Sequence, residues 1–458
     1  MRGGDTRASL TDVSELRATV SALLPGVLAH LADLVAIRSV SALPAHHADV
    51  DASADAVALL LCDAGCPDVV IVREGGQPAV IGRWPAPPGA PTVCLYAHHD
   101  VQPTGEVALW TSDPFVVAER EGRLVARGVV DDKAGIAVHL AALRAFDGQP
   151  PVGVTVFVEG EEEIGSPSLA TILERHRDRL AADAYVICDS ANWQVGTPAF
   201  TTALRGMCQF VVEVRTLDHA LHSGQYGGVV PDATTALIRL LASLHDEQGD
   251  VAVAGLLRND AFELDYPSDR LRTETGVLDG VGLIGTASVA DRLWSGPSVT
   301  VIGIDAPSVA EASPTLQPVA RARVSVRLAP GQEGAAAMAA VKEHLVAHVP
   351  WGAHVIFSDP SHATGTTVAL AGPIADAARA AYAEAWGVEP VEMGQGGSIP
   401  MVSDFQRLFP EAEILVTGVC DPDSRMHGID ESLDLGDFGK ACLAEALLLA
   451  RLGEGAAS

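Results

Sequence analysis

The stretch KAGIAVHLAALRAFDGQPPVGVTVFVEGEEE, residues 133–163, sets the reading of this chain. Residues 133–146 carry apolar side chains at helical spacing, and VGVTVFVE at 152–159 is an apolar, largely β-branched run. A helix feeding a wholly apolar strand is the repeating piece of a parallel sheet covered on both faces. The alternation continues outward. Upstream lie helices over 12–38 and 49–66 and strands VVIV (69–72) and PTVCLYAH (91–98); downstream lie a helix over 166–180 and the strand AYVICD (184–189). They predict an α/β domain whose mostly parallel sheet is sandwiched by helices.

After Thr201 the pattern changes to strand 207–214, helix 230–246, strands 299–304 and 319–328, helix 333–348 and a strand near 354–357. This order predicts a smaller α+β, ferredoxin-like domain inserted into the first. From about residue 366 the α/β pattern resumes with helix 371–386, strand 413–418 and a last helix near 435–452. The expected boundaries are 1–203 and 365–458 for the split domain and 204–364 for the insert.

Composition narrows the function. The 458 residues are 48% hydrophobic and 19% charged, which is globular rather than disordered. A net charge of −29 disfavours nucleic acid or an anionic membrane as partner. The opening MRGGDTRASLTDVSELRATV holds no apolar leader core, and no run of about 18 uncharged apolar residues predicts a membrane span. Seven sparse cysteines do not form a disulfide framework, so a cytoplasmic location is expected, with Cys62 and Cys66 as small buried hydrophobes.

In open α/β sheets, sites form at the carboxyl ends of strands. Here those ends carry AHHD (97–100), EGEEE (159–163), CDS (188–190) and, after a loop, TGVCDPDSRMH (417–427); Asp131-Asp132 precedes the helix at Lys133. Any one of these alone reads more readily as a hydrogen-bonded cap than as a ligand. Five together supply His, Asp and Glu, the donors that suit Zn²⁺ or Mn²⁺. Side chains two apart in an extended segment share a face, so Asp100 is expected to accept the ring N–H of His98 while His99 points away. Among Glu161, Glu162 and Glu163, one is expected to bind metal and one to act as general base; spacing leaves the division open.

The motifs YAHHDVQP (96–103), ARGVVDDKAG (126–135), EGEEEIGS (159–166), ICDS (187–190), LRGMCQFVVEV (204–214), HSGQYGG (222–228), VSVRLAPG (324–331) and GQGGSIP (394–400) span nearly the whole chain. In this order they resemble the co-catalytic metallopeptidases that include carnosine dipeptidase, aminoacylase and succinyl-diaminopimelate desuccinylase. YAHHDVQP, HSGQYGG and GGSIP are most similar to the cytosolic non-specific dipeptidase branch. The resemblance implies a dipeptide hydrolase with two divalent ions per subunit, Zn first and Mn or Co as alternatives. Asp131 would bridge them, with His98 and Asp189 on one and Glu163 and His427 on the other. Glu162 would be the base and Asp100 the orienter of His98. The inserted domain would be a lid that forms a homodimer, with His222 reaching the partner's site as the oxyanion donor. Arg327, with its forked guanidinium, would bind the substrate's terminal carboxylate, helped by Gly397 and Ser398 and, less closely matched, by His362 and Thr315. The same centre would also serve an N-acyl amino acid deacylase or desuccinylase. Ala97, Ala126 and Ala134 stand where the family has glycine.

Overall fold

The computed structural model describes residues 13–259, 262–397 and 400–455. The chain divides into two compact units, one of Met1–Thr202, Val368–Glu392 and Pro400–Ser458, the other of Ala203–Thr367 and Met393–Ile399. The sequence placed 393–399 in the first unit. The structure ties this segment to the second: the Arg205 N–H donates to the Gln395 carbonyl, and Gly394 lies so close to Trp294 that a Cβ would not fit. Most of the opening segment read as lacking a leader lies outside the described residues.

The first unit is built on a six-stranded sheet in the order Asp68–Val72, Ala79–Trp84, Gly153–Glu159, Thr92–His98, Ala184–Ile187, Glu413–Val416. The last four run parallel to one another, while Asp68–Val72 pairs antiparallel with Ala79–Trp84 and Ala79–Trp84 antiparallel with Gly153–Glu159. Strand Ala79–Trp84 was not foreseen, because its polar flanks hide a five-residue buried stretch. Side chains alternate between two apolar layers. Val93, Leu95 and Ala97 enter a core shared with helices Val13–Ala36, Lys133–Arg144 and Leu435–Gly455. Tyr96, on the other face, packs with Phe157 and Phe405, and Phe405 stacks on Tyr185. The expected helix over 166–180 breaks at His176, which leaves helical geometry and turns its ring to Glu74. Helix Val13–Ala36 is long and apolar enough to cross a membrane by length and composition alone. Leu16, Val20, Val27, Leu31, Leu34 and Val35 on it are buried in the protein core. Cys66 is buried as expected, whereas Cys62 is exposed.

Beneath the sheet a buried pair crosses between helices. His139 Nδ1 meets Glu445 at 2.8 Å, and Nε2 lies 3.0 Å from the Tyr96 carbonyl. Both ring nitrogens face acceptors, so the ring is held as a cation. Burial alone would lower its pKa, but the Glu445 charge and hydrogen bond raise it. Removing one partner of such a pair leaves the other uncompensated, so Glu445→Ala should cost about 3–5 kcal/mol in urea denaturation. A folded pKa above the unfolded value gives stability that is complete below the unfolded pKa and lost as pH rises through the folded one. The difference between wild type and Glu445→Gln should therefore shrink with rising pH; a constant gap would show that His139 is neutral.

The second unit carries a four-stranded antiparallel sheet in the order Ser298–Asp305, Val319–Leu328, Gly206–Arg215, His354–Ala363. Helices Ala233–Ala242 and Gly334–His348 pack on one face over Cys208, Phe210, Val212, Val214, Val324 and Val326. In chain order this is the β-α-β-β-α-β path expected. Helices Ser268–Thr275 and Val289–Trp294, in the connection before Ser298, were not foreseen.

Candidate metal centre

Each functional side chain of the first unit sits where a buried strand runs out or a helix begins. His98 ends strand Thr92–His98, Asp189 follows Ala184–Ile187, and Glu162 and Glu163 form a helical turn after Gly153–Glu159. Asp131 lies just ahead of helix Lys133–Arg144, and the Asp131–Asp132 peptide is cis. His427 comes from an irregular loop with a left-handed backbone (φ 61°).

Asp131 stands between two histidines. Its Oδ1 is 3.1 Å from His98 Nε2 and its Oδ2 is 2.9 Å from His427 Nε2. Asp189 lies 3.9 Å from His98 Nε2, and Glu163 lies 3.3 Å from His427 Nε2. Two ligand groups result, His98–Asp131–Asp189 and Asp131–Glu163–His427, each with its donor atoms within 4.8 Å of one another. The shared carboxylate offers one oxygen to each group. Imidazole and carboxylate donors at this spacing fit divalent cations of the Zn²⁺ or Mn²⁺ kind.

The electrostatics agree with that fit. Burial and the neighbouring Glu162, Asp132 and Asp131 carboxylates push Asp189 well above the ordinary carboxylate range, although His98 opposes them. Burial would also raise Asp131, but hydrogen bonds from His427 and His98 hold it well below. Hydrogen bonds to Asp131 and Glu163 push His427 up to about 10. Burial, joined by Glu163, Glu159 and Asp131, pushes Glu162 up to about 8. So many acids in one buried place demand positive charge, from protons or from cations.

The three glutamates separate by what holds them. Glu161 accepts the Gln77 and Ser168 N–H groups and so staples the turn. Glu163 accepts the Gln102 N–H at 3.0 Å and its side-chain amide at 2.7 Å, besides facing His427. The Glu162 carboxylate has no hydrogen-bond partner among the described residues. Asp100 differs from expectation in detail. His98 Nδ1 lies 3.1 Å from the Asp100 backbone oxygen and 3.4 Å from its carboxylate. That carboxylate is drawn instead to the Ser41 hydroxyl and to the Glu162 and Glu163 N–H groups. His99 turns away to the Pro78 carbonyl, 2.9 Å distant. Ala97, Ala126 and Ala134 are fully buried.

Besides Ser41, two supporting residues were not read from the sequence. Gln102 lay unnoticed inside YAHHDVQP. Glu431 carried no signal, being some 300 positions from its partners; its buried carboxylate accepts the Gly128, Val130 and Asp131 N–H groups and pairs with Arg127.

In the second unit, His222 and Thr315 are direct partners in a two-stranded ladder. The Gly224 N–H donates to His222 Nδ1 at 3.0 Å, so the ring caps a turn. Arg327 is the cross-strand partner of Met207 and Ser298. His362 pairs with Cys208, one residue out of step with Met207, which directs it to the opposite sheet face from Arg327. Gly397 ends the described part of its loop, and Ser398 lies outside the described residues.

Carboxylates and imidazoles converging on one shared aspartate at the carboxyl ends of the strands of an α/β sheet define a metal-dependent hydrolase. Residues 94–451 match the family model for peptidase family M20/M25/M40, and the chain belongs to that family. The cysteinylglycine-S-conjugate dipeptidase of Corynebacterium striatum is 34% identical over 93% of this chain and 96% of its own. The human Beta-Ala-His dipeptidase is 29% identical over 74% and 70%. Among solved structures, human carnosine dipeptidase 1 is similar at TM-score 0.81 and 25% identity, covering 97% of this chain and 99% of that one. The di-peptidase Dug1p of Saccharomyces cerevisiae shares the fold at TM-score 0.81 and 23% identity, over 98% and 99%.

Proposed function

We infer that this enzyme cleaves the amide bond of dipeptides with water, using Glu162 as general base beside cations held by His98, Asp131, Asp189, Glu163 and His427. The dipeptidase relatives support the substrate class. The observation that carries the mechanism is the commitment of the neighbouring carboxylates: Glu161 and Glu163 are held, and Glu162 is half-buried beside them and unspent. The cations, when bound, polarise the scissile carbonyl and acidify water. Glu162 takes the proton from the attacking water and returns it to the leaving amine. Asp100 fixes Glu162 through its N–H and keeps the His98 ring oriented. Arg327 takes the substrate's terminal carboxylate, with Gly397, Ser398 and Thr315 as further contacts; His362, which leaves the sheet on the opposite face, is not assigned to this group. Zinc is the proposed metal, two ions per subunit, and the cytoplasm the proposed location.

We also assign oxyanion stabilisation to His222, acting across a homodimer. Its Nδ1 accepts a hydrogen bond, so the neutral ring carries its proton on Nε2, the tautomer a donor needs. Such a donor contributes roughly 2.7–4 kcal/mol. His222→Ala should therefore lower kcat about 10²–10³-fold. Mixing Glu162→Ala and His222→Ala chains should restore part of the activity; no rescue after demonstrated subunit exchange would refute action across subunits. A panel of dipeptides, including Cys-Gly and β-Ala-His, run beside N-acetyl and N-succinyl amino acids with Zn²⁺, Mn²⁺ or Co²⁺, tests substrate and metal together. Faster turnover of the acylated amino acids would make the enzyme a deacylase.

A further inference from the structure

Arg205 and Arg327 of the second unit have no acid partner among the described residues. Arg205 is only 4% exposed and spends its guanidinium on neutral groups: Nη1 donates to the Leu293 carbonyl and Nη2 to the Ser298 hydroxyl, each at 2.6 Å. Its Nε–H finds no acceptor among the described residues. A guanidinium has five N–H donors, so most of its capacity is unused. Arg327, half-buried, likewise has no hydrogen bond or ion pair among the described residues. A buried cation with no counter-charge is costly, and a fold keeps one where an anion arrives.

The register brings the two together. Ser298 is the direct cross-strand partner of Arg327, so their side chains leave the sheet on one face, with Cβ atoms about 4.5–5.5 Å apart. Since Ser298 also holds Arg205 Nη2, the Arg205 guanidinium sits beside the root of the Arg327 side chain. Burial first, and the Arg327 charge after it, lower Arg205 to about 10. The GQGG segment lies against Arg205. The Arg205 N–H donates to the Gln395 carbonyl, and a Cβ on Gly396 would lie 4.0 Å from Arg205 Nη1.

We propose that Arg205 is a specificity-determining residue which, with Arg327, makes a paired-guanidinium receptor for the substrate's terminal carboxylate. This rests on the role given to Arg327 above. A lone guanidinium matches one carboxylate; a second one behind it raises the positive potential there and penalises a neutral C-terminal amide. Arg205 thus sets the preference for free acids over amides and leaves the cleavage step alone.

The test compares kcat/KM for a dipeptide and its C-terminal amide in wild type, Arg205→Met and Arg205→Lys. Arg205→Met should raise KM for the free acid about 10- to 100-fold, the size of a charged hydrogen bond, with kcat and the amide's constants little changed. Arg205→Lys, which keeps the charge without the fork, should recover part of the preference. Should the methionine variant fail to fold, the lysine variant still has to show an acid-to-amide ratio below wild type. An unchanged ratio in both variants, or equal losses on acid and amide, overturns the proposal while the dipeptidase reading stands. A wild type inert to every dipeptide removes that reading; the ratio is then measured on N-acetyl amino acids and their amides, and there too an unchanged ratio refutes Arg205.

Discussion

Glu162→Gln should bind as much divalent metal as the wild type and turn over about 10²–10⁴ times more slowly, the usual share of a positioned general base. The substitution keeps the shape of the side chain and removes only its ability to accept a proton. No ligand is touched, because His98, Asp131 and Asp189 form one group and Asp131, Glu163 and His427 the other. The neighbouring carboxylates offer no substitute. Glu161 is held by Gln77 and Ser168, and Glu163 by Gln102 and His427. The experiment pairs elemental analysis of the purified variant with steady-state kinetics on a dipeptide. Retained activity would move the base elsewhere. Loss of metal together with activity would make Glu162 a ligand, and the division among the three glutamates would need redrawing.

The strand-end logic made much of this centre legible. His98, Asp189 and the glutamate turn are tied to apolar strands whose ends the sequence marks clearly, so chemistry could be read from position. His427 was legible only as the end of the TGVCDPDSRMH segment after a loop, and its place as a ligand only through resemblance, because it lies in a loop with left-handed backbone where no periodicity points to it. What holds the ligands was harder still. Ser41, Gln102 and Glu431 act through hydrogen bonds to backbone or carboxylate, and such partners leave no pattern because chain distance says nothing about contact. Asp100 shows the same limit at closer range. Side-chain alternation placed it beside His98, but the competition between one ring N–H and two backbone N–H groups is decided by the fold of the next turn. In the second unit, the core strands were visible from their alternation. The face assignments were not, and register alone separates His362 from Arg327.

Stripping the metal should lower thermal stability as well as activity. Asp100, Asp131, Asp132, Glu162, Glu163 and Asp189 crowd into one buried region, against which the first unit offers His98, His427 and the buried Lys133. Without cations the region balances its charge by keeping protons on acids that would otherwise be ionised, as the raised Asp132, Asp189 and Glu162 indicate. A ligand that binds only the folded state at 100 times its Kd adds about 2.7 kcal/mol. For a unit of this size that corresponds to a midpoint shift of about 4–5 °C. Exhaustive chelation should therefore lower the midpoint by that amount, and Zn²⁺ or Mn²⁺ should restore it. Asp131→Asn supplies the internal control. Because Asp131 alone belongs to both ligand groups, its loss should weaken both at once, and the variant should melt at nearly the same temperature with or without chelator. A wild-type midpoint unmoved after verified removal of metal would show that these carboxylates are balanced by the protein itself, and the metal centre as drawn would be wrong.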